Sequence, residues 1–377
     1  MTRRLLALIV ASLFLAACNG GDVPAQTVKS ELHDFRVVVV ADGLNHPWSM
    51  AFLQDGGMLV TERAGQLRLV RDGKLDPRPI AGVPDIAVGG QGGLFDVVLH
   101  PKYGSNGWIY LSYAAEGSGG INTRVTRFKY DTSGHRLTQA RQIFHAAPGA
   151  YGGRHFGGRM AFDRQGYLFL TTGDRGDMPR AQRLADHSGS VIRLRDDGSV
   201  PPDNPFAGDT GSSPEIWSYG HRNPQGMDIN PRTGAVWTHE HGARGGDEIN
   251  IIRRGANYGW PVITHGVNYD GSRIGIGRSS PGMQQPLYFW VPSIAPSGMA
   301  FYRCDKFPKW RNSLFVGALA GNLLVRIELE GDRVKSEERL LEDAVGRIRD
   351  VRTGPDGFVY LAIDDDPGKL LRLEPVE

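Results

Sequence analysis

One pattern recurs along the whole chain and limits the folds that are open to it. Each copy has a few apolar residues, a turn with Asp, Asn or Gly, and an alternating strand ending near Thr, Ser or Ala, as in residues 160–171. The six copies open at Met50, Val97, Met160, Met227, Met299 and Val351. Consecutive copies start 47 to 72 residues apart, a period typical of propeller blades built from four short strands. A six-bladed β-propeller explains this spacing better than a two-sheet sandwich with coincidental turns.

The composition agrees with an all-β chain. Glycine fills 51 of 377 positions, about twice its usual share of ~7%, and 23 prolines accompany it. A helical bundle or coiled coil tolerates neither residue, so both architectures are excluded. The hydrophobic share of 40% excludes a disordered chain. The predicted fold class is therefore all-β, with four-stranded antiparallel blades forming a six-bladed propeller.

The two ends of the chain are predicted to close the ring together. Only one strand, residues 369–373, follows the sixth copy, so the last blade lacks an outer strand. Residues 35–40 (Phe-Arg-Val-Val-Val-Val) precede the first copy and can supply it. Such a clasp removes an open sheet edge that would otherwise invite aggregation. We therefore expect an N-terminal strand to complete the last blade.

The N-terminus has the form of an export signal. Arg3 and Arg4 precede an apolar run over residues 5–17, which is short for a membrane span and typical of a signal peptide. Its end, Leu15-Ala-Ala-Cys18, resembles a bacterial lipobox, in which the cysteine is cleaved and lipidated. An ordinary signal peptide cut nearby is the alternative and would leave a soluble protein. We predict a signal peptide at 1–17, a flexible tether at 18–32, and the propeller at 33–377.

This N-terminus predicts an exported, periplasmic lipoprotein that contacts the membrane only through a lipid on Cys18. Removal of residues 1–17 takes away two arginines, which leaves 41 basic and 41 acidic residues. A net charge near zero gives no electrostatic case for nucleic-acid binding. If Cys18 carries lipid, Cys304 is the only other cysteine, and no disulfide forms within the chain.

Binding groups on propellers gather on the loops around the central channel, so the segments between repeats are informative. His155 lies among four glycines in Tyr151-Gly-Gly-Arg-His-Phe-Gly-Gly-Arg159, just before the third repeat. Flanking glycines let backbone and ligand approach closely. Asp174 follows just past the same predicted hairpin and could orient the imidazole of a general base. A lone His is more often structural, so the pair is a hypothesis.

Two further segments carry cations beside polar groups. Arg222 and Asn223, in Gly220-His-Arg-Asn-Pro-Gln-Gly226, offer a forked cation and an amide suited to carboxylate or carbonyl oxygens. A solvated turn is the alternative. Arg347 and Arg349 alternate on one strand face, where two like charges need an anion between them or bulk water.

The segment after the fourth repeat contains candidate metal ligands. His239-x-His241 raises a zinc site, but no cysteine is near and no third ligand has a recognisable spacing. Glycine-rich turns with Asp247 and Glu248 offer backbone carbonyls and hard carboxylates, which suit calcium better. The sequence has no GxGxxG opening a helix after a strand, no P-loop and no GxSxG elbow.

With these residues in view, the chain resembles the soluble quinoprotein glucose/sorbosone dehydrogenases, a family of six-bladed propellers, and most of all their bacterial aldose sugar dehydrogenase branch. The resemblance covers about residues 34–375 and rests on several independent stretches in the family's order. These are Gly90–Leu94, His155–Arg159, Gly220–Gly226, Asp247–Asn250 with Asn257–Trp260, and Arg347–Asp350.

The resemblance implies an enzyme that binds pyrroloquinoline quinone (PQQ) and calcium and oxidises the anomeric carbon of aldose sugars to lactones. It implies His155 as general base with Asp174 as its orienting partner. It implies a set of residues that hold the quinone and its carboxylates: Gln91, Arg222, Asn223, Arg347 and Arg349. It also implies calcium ligands, namely the carbonyls of Gly242 and Ala243 beside the quinone, and Glu248 with Tyr258 at a second, structural site.

Two departures from the family's pattern bear on cofactor and substrate. Many members have a lysine near the quinone where this chain has Ala320, which weakens the expected cofactor affinity. Arg154 precedes the predicted base where the glucose-oxidising branch has an aspartate, which alters the expected sugar preference. A calcium-dependent propeller lactonase and a non-catalytic binding module remain as alternatives. The sequence names neither the sugar nor the electron acceptor, a quinone or a cytochrome.

Overall fold

A computed structural model describes residues 27–376 and shows an almost entirely β-stranded chain. Its strands, in chain order, are β1 (Thr27–Val28), β2 (Phe35–Leu44), β3 (Pro47–Phe52), β4 (Met58–Glu62), β5 (Gln66–Arg71), β6 (Lys74–Leu75), β7 (Leu94–Leu99), β8 (Trp108–Gly117), β9 (Gly120–Asp131), β10 (Arg136–His145), β11 (Met160–Phe162), β12 (Leu168–Thr171), β13 (Ser190–Leu194), β14 (Ile216–Tyr219), β15 (Pro224–Ile229), β16 (Val236–Glu240), β17 (Asp247–Ile251), β18 (Tyr288–Trp290), β19 (Pro296–Phe301), β20 (Ser313–Ala318), β21 (Leu324–Glu330), β22 (Arg333–Leu340), β23 (Ile348–Thr353), β24 (Val359–Ile363) and β25 (Gly368–Pro375). Helical structure in the described part is limited to one α-turn, α1 (Tyr103–Asn106), and two 3₁₀ turns, Met178–Gln182 and Pro308–Trp310.

The strands form six antiparallel sheets that follow one another along the chain. Five have four strands, namely β3–β6, β7–β10, β11–β14, β15–β18 and β19–β22, each in chain order. The sixth has the order β1-β2-β25-β24-β23. Each of the six predicted repeats opens within the first strand of one sheet, and these strands are β3, β7, β11, β15, β19 and β23. The six-bladed propeller predicted from the sequence is confirmed.

The predicted clasp between the two chain ends is also present. Strand β2 pairs with β25 along its length, from Phe35 opposite Pro375 to Leu44 opposite Gly368. The outer side of β2 is in turn paired with the short strand β1. The N-terminal strand therefore completes the last blade, and the ring closes through main-chain hydrogen bonds between the first and last segments of the described chain.

Apolar side chains fill the interfaces between neighbouring blades. Each of the six interfaces has its own buried cluster. At the clasp, for example, Leu44 of β2 and Val60 of the first blade pack with Ala362 and Leu370 of the last. Because burying a large aliphatic side chain contributes about 1.5–3 kcal/mol, these six contacts hold the ring together without a disulfide. Cys304, the single cysteine of the described part, is a free thiol.

The N-terminal predictions fall partly outside the described residues. The signal peptide at 1–17, the lipidated Cys18 and most of the predicted tether lie before residue 27. The end of the predicted tether differs from expectation, because Thr27 and Val28 pair with β2. Glu31 then receives a hydrogen bond from Arg326 at 3.0 Å and donates its own N–H to Glu338. Residues 27–32 thus belong to the propeller. Within residues 27–376, no helix has the length and apolar character needed to cross a bilayer.

A buried ion network joins the innermost strands of three blades around the central channel. Arg159 lies 2.9 Å from Asp350 and 3.4 Å from Asp96, and Arg352 reaches the same two carboxylates at 2.9 and 2.8 Å. Both aspartates are fully buried. The two cations balance the two anions, and both carboxylates are paired, as burial requires.

Candidate active site

The predicted site residues converge at one end of this channel. Gln91 lies just before β7, His155 before β11 and Asn223 before β15, while Arg347 directly precedes β23. These four strands are the innermost strands of their blades, and they all start at the same end of the ring. The segments that lead into them therefore place their side chains around one opening, although they are up to 256 residues apart in the chain.

His155 and Asp174 form a buried pair at this opening. Nδ1 of His155 lies 2.6 Å from Oδ1 of Asp174. An ionised carboxylate only accepts hydrogen bonds, so Nδ1 carries the proton and donates it. Nε2 of His155 makes no hydrogen bond to any described residue, although the ring is largely buried. This leaves Nε2 as the ring atom able to take a proton from a ligand.

Asp174 is held as an ion by two donors besides His155. Its Oδ2 accepts the indole N–H of Trp260 at 2.8 Å, and its Oδ1 also accepts the N–H of Gly176 at 2.7 Å. Burial raises the pKa of Asp174, but the hydrogen bonds from His155, Gly176 and Trp260 outweigh burial and leave it below its ordinary value. The sequence analysis did not single out Trp260 as a partner of this carboxylate.

The backbone of His155 is fixed in an unusual conformation. Its φ is +55°, a left-handed region that side-chain-bearing residues rarely adopt. The side-chain oxygen of Gln91 accepts the His155 N–H at 2.7 Å. Gly173 packs so closely that a Cβ there would collide with the carbonyl oxygen of His155. Gln91, predicted as a cofactor ligand, therefore also positions the base.

His155 is neutral at neutral pH. Burial lowers the pKa of His155, and the nearby guanidinium groups of Arg222 and Arg154 lower it further, while the hydrogen bond to Asp174 raises it in part. The net shift is downward from 6.5. A neutral imidazole with one free nitrogen can accept a proton, and the adjacent carboxylate stabilises the cation that forms.

Arg222 and Asn223 supply unpartnered donors beside this pair. The carbonyl of Arg222 accepts the N–H of Asp174 at 2.8 Å, and Oδ1 of Asn223 accepts the N–H of Gly157 at 3.2 Å. Nε of Arg222 and Nδ2 of Asn223 are buried and have no acceptor among the described residues. Buried donors without acceptors are costly, so this arrangement suits a ligand rich in carbonyl or carboxylate oxygens.

Arg347 and Arg349 meet a carboxylate that the sequence analysis did not consider. Oδ2 of Asp364 lies 3.0 Å from Arg349 and 3.7 Å from Arg347. Arg349 is buried and also donates to Gln225 at 3.0 Å. The anion expected between the two arginines is therefore Asp364. Arg347 keeps half of its side chain exposed and is the more accessible of the two.

The turn that contains Gly242 and Ala243 is rigidly built. Asp247 accepts the N–H of Gly242 at 2.8 Å and those of Ile294 and Ala295 at 2.8 and 3.0 Å. A Cβ on Gly242 would collide with the backbone of Gly245 and Gly246. Both carboxylate oxygens of Asp247 thus accept hydrogen bonds that fix the turn. Backbone carbonyls, rather than Asp247, are the groups this turn can offer a cation.

Two carboxylates face each other beside this turn. Glu240 of β16 and Glu248 of β17 are directly paired across the sheet, an arrangement that is repulsive unless a proton or cation intervenes. Burial raises the pKa of Glu248 well above its usual range, and the neighbouring Glu240 raises it further. Both line a small cavity of about 10 Å³ with Arg222, Gly242 and Tyr258, enough space for one water-sized particle.

Cation ligands are nevertheless few. Among residues 27–376, no three His, Cys, Asp or Glu side chains converge as a metal site. Burial lowers the pKa of His241 to about 3, and its Nε2 is occupied by the carbonyl of Pro296 at 2.6 Å. His239 is fully buried and its ring nitrogens have no described partner. No third zinc ligand lies beside His239 and His241 among the described residues. A calcium ion beside Glu248 would need backbone carbonyls as further ligands.

The two residues that depart from the family's pattern lie at the same opening. Ala320 is exposed, and it follows Leu319, whose carbonyl accepts a hydrogen bond from Arg347 at 3.1 Å. Arg154 is exposed beside His155, and its carbonyl accepts a hydrogen bond from Arg175. Neither substitution disturbs the His155–Asp174 pair.

Comparison with known proteins places this site in context. The sequence profile of the family described as "Glucose / Sorbosone dehydrogenase" matches residues 44–372. The chain is 47% identical over 343 residues to the aldose sugar dehydrogenase YliI of Escherichia coli, covering 90% of this chain and 92% of that protein. The family match covers all six blades except β1, most of the clasp strand β2 and the end of β25.

Solved structures give the same result in three dimensions. The apo form of the soluble aldose sugar dehydrogenase from Escherichia coli superposes with a TM-score of 0.88 at 47% identity, covering 91% of this chain and all of that one. The PQQ-bound aldose sugar dehydrogenase from Streptomyces coelicolor superposes with a TM-score of 0.76 at 30% identity, covering 90% of this chain and 98% of that one.

Proposed function

The chain belongs to the glucose/sorbosone dehydrogenase family, and on that basis we propose that it is a PQQ-dependent aldose sugar dehydrogenase. The observation that carries the proposal is the buried His155–Asp174 pair beside unpartnered donors of Arg222 and Asn223. The pair provides a neutral base, and the donors provide a place for an acceptor-rich cofactor. The relatives named as aldose sugar dehydrogenases support the substrate class, and the PQQ-bound relative supports the cofactor.

The residues present fit PQQ, which is a tricarboxylate ortho-quinone. Nε of Arg222 and Nδ2 of Asn223 are buried donors that lack acceptors among the described residues. Arg347 adds an accessible cation, and the side-chain amide of Gln91 keeps its N–H₂ group free while its oxygen holds His155. Arg349 contributes mainly through the local positive charge, because Asp364 and Gln225 occupy its guanidinium.

In this proposal His155 is the general base of the reaction at C1 of the sugar. When bound, PQQ supplies a quinone that accepts hydride. Nε2 of His155 removes the proton from the anomeric hydroxyl, and the product is a lactone. Asp174 stabilises the imidazolium, and Trp260 and Gly176 hold Asp174 in place. Burial, together with the positive charges of Arg222 and Arg154, lowers the pKa of His155 and keeps it neutral before the reaction.

Calcium is proposed at two places. The carbonyls of Gly242 and Ala243 would ligate an ion that polarises the quinone. Glu248 and Tyr258 would hold a structural ion, and we propose Glu240 as a further ligand because it faces Glu248 across the sheet. The support for calcium is the pair of facing carboxylates and the small cavity between them.

The alternatives gain less support from this structure. A calcium-dependent lactonase needs free carboxylates converging on the channel, but Asp96 and Asp350 are paired with Arg159 and Arg352. A non-catalytic binding module has no use for a buried His–Asp pair. We further propose that the enzyme is exported to the periplasm and anchored through Cys18, which lies outside the described residues.

Reconstitution tests the proposed function. Purified apo-protein is mixed with PQQ and calcium, and reduction of an artificial dye is followed with an aldose. We expect activity only with both PQQ and calcium, and a lactone as product. Omission of either additive, and chelation by EDTA during assembly, are the controls. Lactone hydrolysis without PQQ would favour the lactonase, and equal dye reduction with a nicotinamide cofactor would reject the proposal.

A further inference from the structure

Exposed apolar side chains concentrate on one part of the rim. Nine large apolar side chains are exposed among residues 27–376, and five of them lie between residues 267 and 291. They belong to the long connection between β17 and β18 and to its exit, on the fourth blade. Scattered exposed apolar residues need no explanation, but a contiguous group marks an interaction surface.

The group is organised around the turn that carries Ala243. Arg244, which follows Ala243, forms an isolated antiparallel β-bridge with Val267. Val267 forms a second antiparallel β-bridge, on its other side, with Arg273. Directly opposite residues in antiparallel bridges point to the same face. Val267, 37% exposed, therefore lies between two exposed arginines. Tyr269, 71% exposed, lies in the hairpin loop that joins Val267 to Arg273.

Two further apolar side chains extend the same surface. Val291, 61% exposed, is the nearest side chain to Gly245, the residue after Arg244. Phe289, 42% exposed, stacks on the ring of His265 with centroids 3.9 Å apart. His265 in turn packs against Gly246. We call this surface the rim patch, formed by Arg244, Val267, Tyr269, Arg273, Phe289 and Val291.

The exposed charge of residues 242–291 is mainly positive. Residues 242–291 contain five arginines, and none of them has a carboxylate within salt-bridge distance among the described residues. They are Arg244, Arg253, Arg254, Arg273 and Arg278, and all five are exposed. The one fully exposed carboxylate of the segment, Asp270, is turned to the N–H and hydroxyl of Ser272. Unpaired cations around apolar side chains are complementary to an acidic protein surface with an apolar centre.

We propose that the rim patch docks an acidic electron-carrier protein, the acceptor for the enzyme. This inference rests on the proposed function, because it assigns the turn at Gly242–Ala243 to the cofactor's metal. The patch begins at the next residue, Arg244, so a carrier seated on it lies beside the redox site. A membrane surface also attracts arginines and could present a quinone acceptor, so binding to lipid vesicles is one outcome of the test below.

The electron balance requires repeated docking. Oxidation of one anomeric hydroxyl to a lactone releases two electrons and two protons. A ferric haem carrier takes one electron and becomes ferrous, so two carriers must be reduced for each sugar, and the two protons pass to solvent. A salt-sensitive, readily dissociating contact suits this task, since rim charges mainly raise the rate of encounter.

The test uses the reconstituted holoenzyme with an acidic c-type cytochrome as protein acceptor and phenazine methosulfate as small acceptor. Arg273→Glu/Arg278→Glu reverses one charge of the rim patch and one neighbouring charge of the same segment, and neither residue belongs to the predicted metal turn. Arg141→Glu/Arg195→Glu is the matched control, because both residues are exposed arginines without a carboxylate partner elsewhere on the ring. Binding of ferric cytochrome without sugar is measured by calorimetry as a readout independent of turnover.

We expect the patch variant to raise the KM and Kd for the cytochrome about tenfold or more, with dye reduction unchanged. The control variant should stay within about twofold of wild type, and added salt should weaken wild-type binding. Equal effects of the two variants overturn the proposal. So does binding of wild type to phosphatidylglycerol vesicles but not to cytochrome, or a wild-type dimer that the patch variant dissolves. If the reconstituted wild-type protein reduced no dye, the proposed function would be rejected. The calorimetry would still show whether the rim patch binds the cytochrome.

Discussion

Nδ1 of His155 and Oδ1 of Asp174 are 2.6 Å apart, in a site where both side chains are buried. The carboxylate is kept ionised by hydrogen bonds, and the imidazole is kept neutral by burial and by neighbouring arginines. The pair is therefore poised for one proton transfer, in which the histidine becomes a cation next to an existing anion.

The pH dependence of activity follows from this pair. His155 must be neutral to act as base, and its pKa lies below 6.5. We expect kcat/KM to be constant at neutral pH and to fall as the pH drops through this lowered pKa. Asp174→Asn removes the negative charge that raises the pKa of His155 and leaves at most a weaker, neutral hydrogen bond, so the acidic limb should move to still lower pH while kcat falls. A pH–rate profile of both proteins measures this, and a limb that moves to higher pH would contradict the assignment.

Trp260 is predicted to be a positioning residue. Trp260→Phe keeps a ring beside Arg222 but removes the N–H that Oδ2 of Asp174 accepts. Hydrogen bonds to charged groups are worth about 1.5–3 kcal/mol, so we expect kcat to fall about tenfold or more with little change in KM. Trp290→Phe is the control, because it removes an indole hydrogen bond to Glu337 and leaves the hydrogen bonds of Asp174 in place. Equal losses in the two variants would show a merely structural role.

The facing carboxylates predict a stabilising effect of calcium. Glu240 already accepts hydrogen bonds from His221 and from the N–H of Arg222. Glu248, which faces it across the sheet, has no basic partner among the described residues, so an ion at 100 times its Kd should add about 2.7 kcal/mol of stability. Glu248→Gln should abolish most of the calcium-dependent rise in Tm, and the exposed Glu342→Gln should not. Thermal melts with calcium and with EDTA measure the effect, and a full calcium response in Glu248→Gln would place the ion elsewhere.

Ala320 offers a test in which PQQ should bind more tightly than to the wild-type protein. Ala320→Lys adds a cation next to the loop carbonyl that Arg347 contacts, at the opening where PQQ carboxylates are proposed. An exposed ion pair contributes up to about 1 kcal/mol, which corresponds to about fivefold tighter binding of PQQ. Ala320→Gln, similar in length but uncharged, should not change the Kd. Calorimetric titration of PQQ compares the three proteins, and equal Kd values would separate this loop from the cofactor site.

The fold could be predicted because its determinants are local. Each repeat carries its own turn and alternating strand, and the spare strand at residues 35–40 is visible from the missing partner of the last blade. The sequence places Thr27 and Val28 in the tether, because the small and polar residues around them show no strand pattern. They form a strand only because β2 offers its free edge for pairing, a contact that the local sequence does not reveal.

The site could be predicted only in part, because its contacts join distant segments. The His155–Asp174 pair spans 19 residues and was suggested by one hairpin, whereas Trp260 reaches Asp174 from 86 residues away. Asp364 had no motif that marked it as the partner of Arg349. Glu240 had a usable signal, since it ends the strand before Asp247-Glu248, and adjacent antiparallel strands bring such ends together.

The most direct test of the account is to measure turnover and PQQ affinity together in His155→Ala. Nε2 of His155 makes no described hydrogen bond and faces the proposed sugar, whereas the buried Nε of Arg222 has no described acceptor and is proposed to bind the cofactor. We predict that kcat falls by about 10²–10⁴-fold, as expected for a lost general base, while the Kd for PQQ stays within about threefold of wild type. Arg222→Ala should show the reverse order, with the Kd affected first. Near-normal turnover in His155→Ala would contradict the account and move the base to another loop.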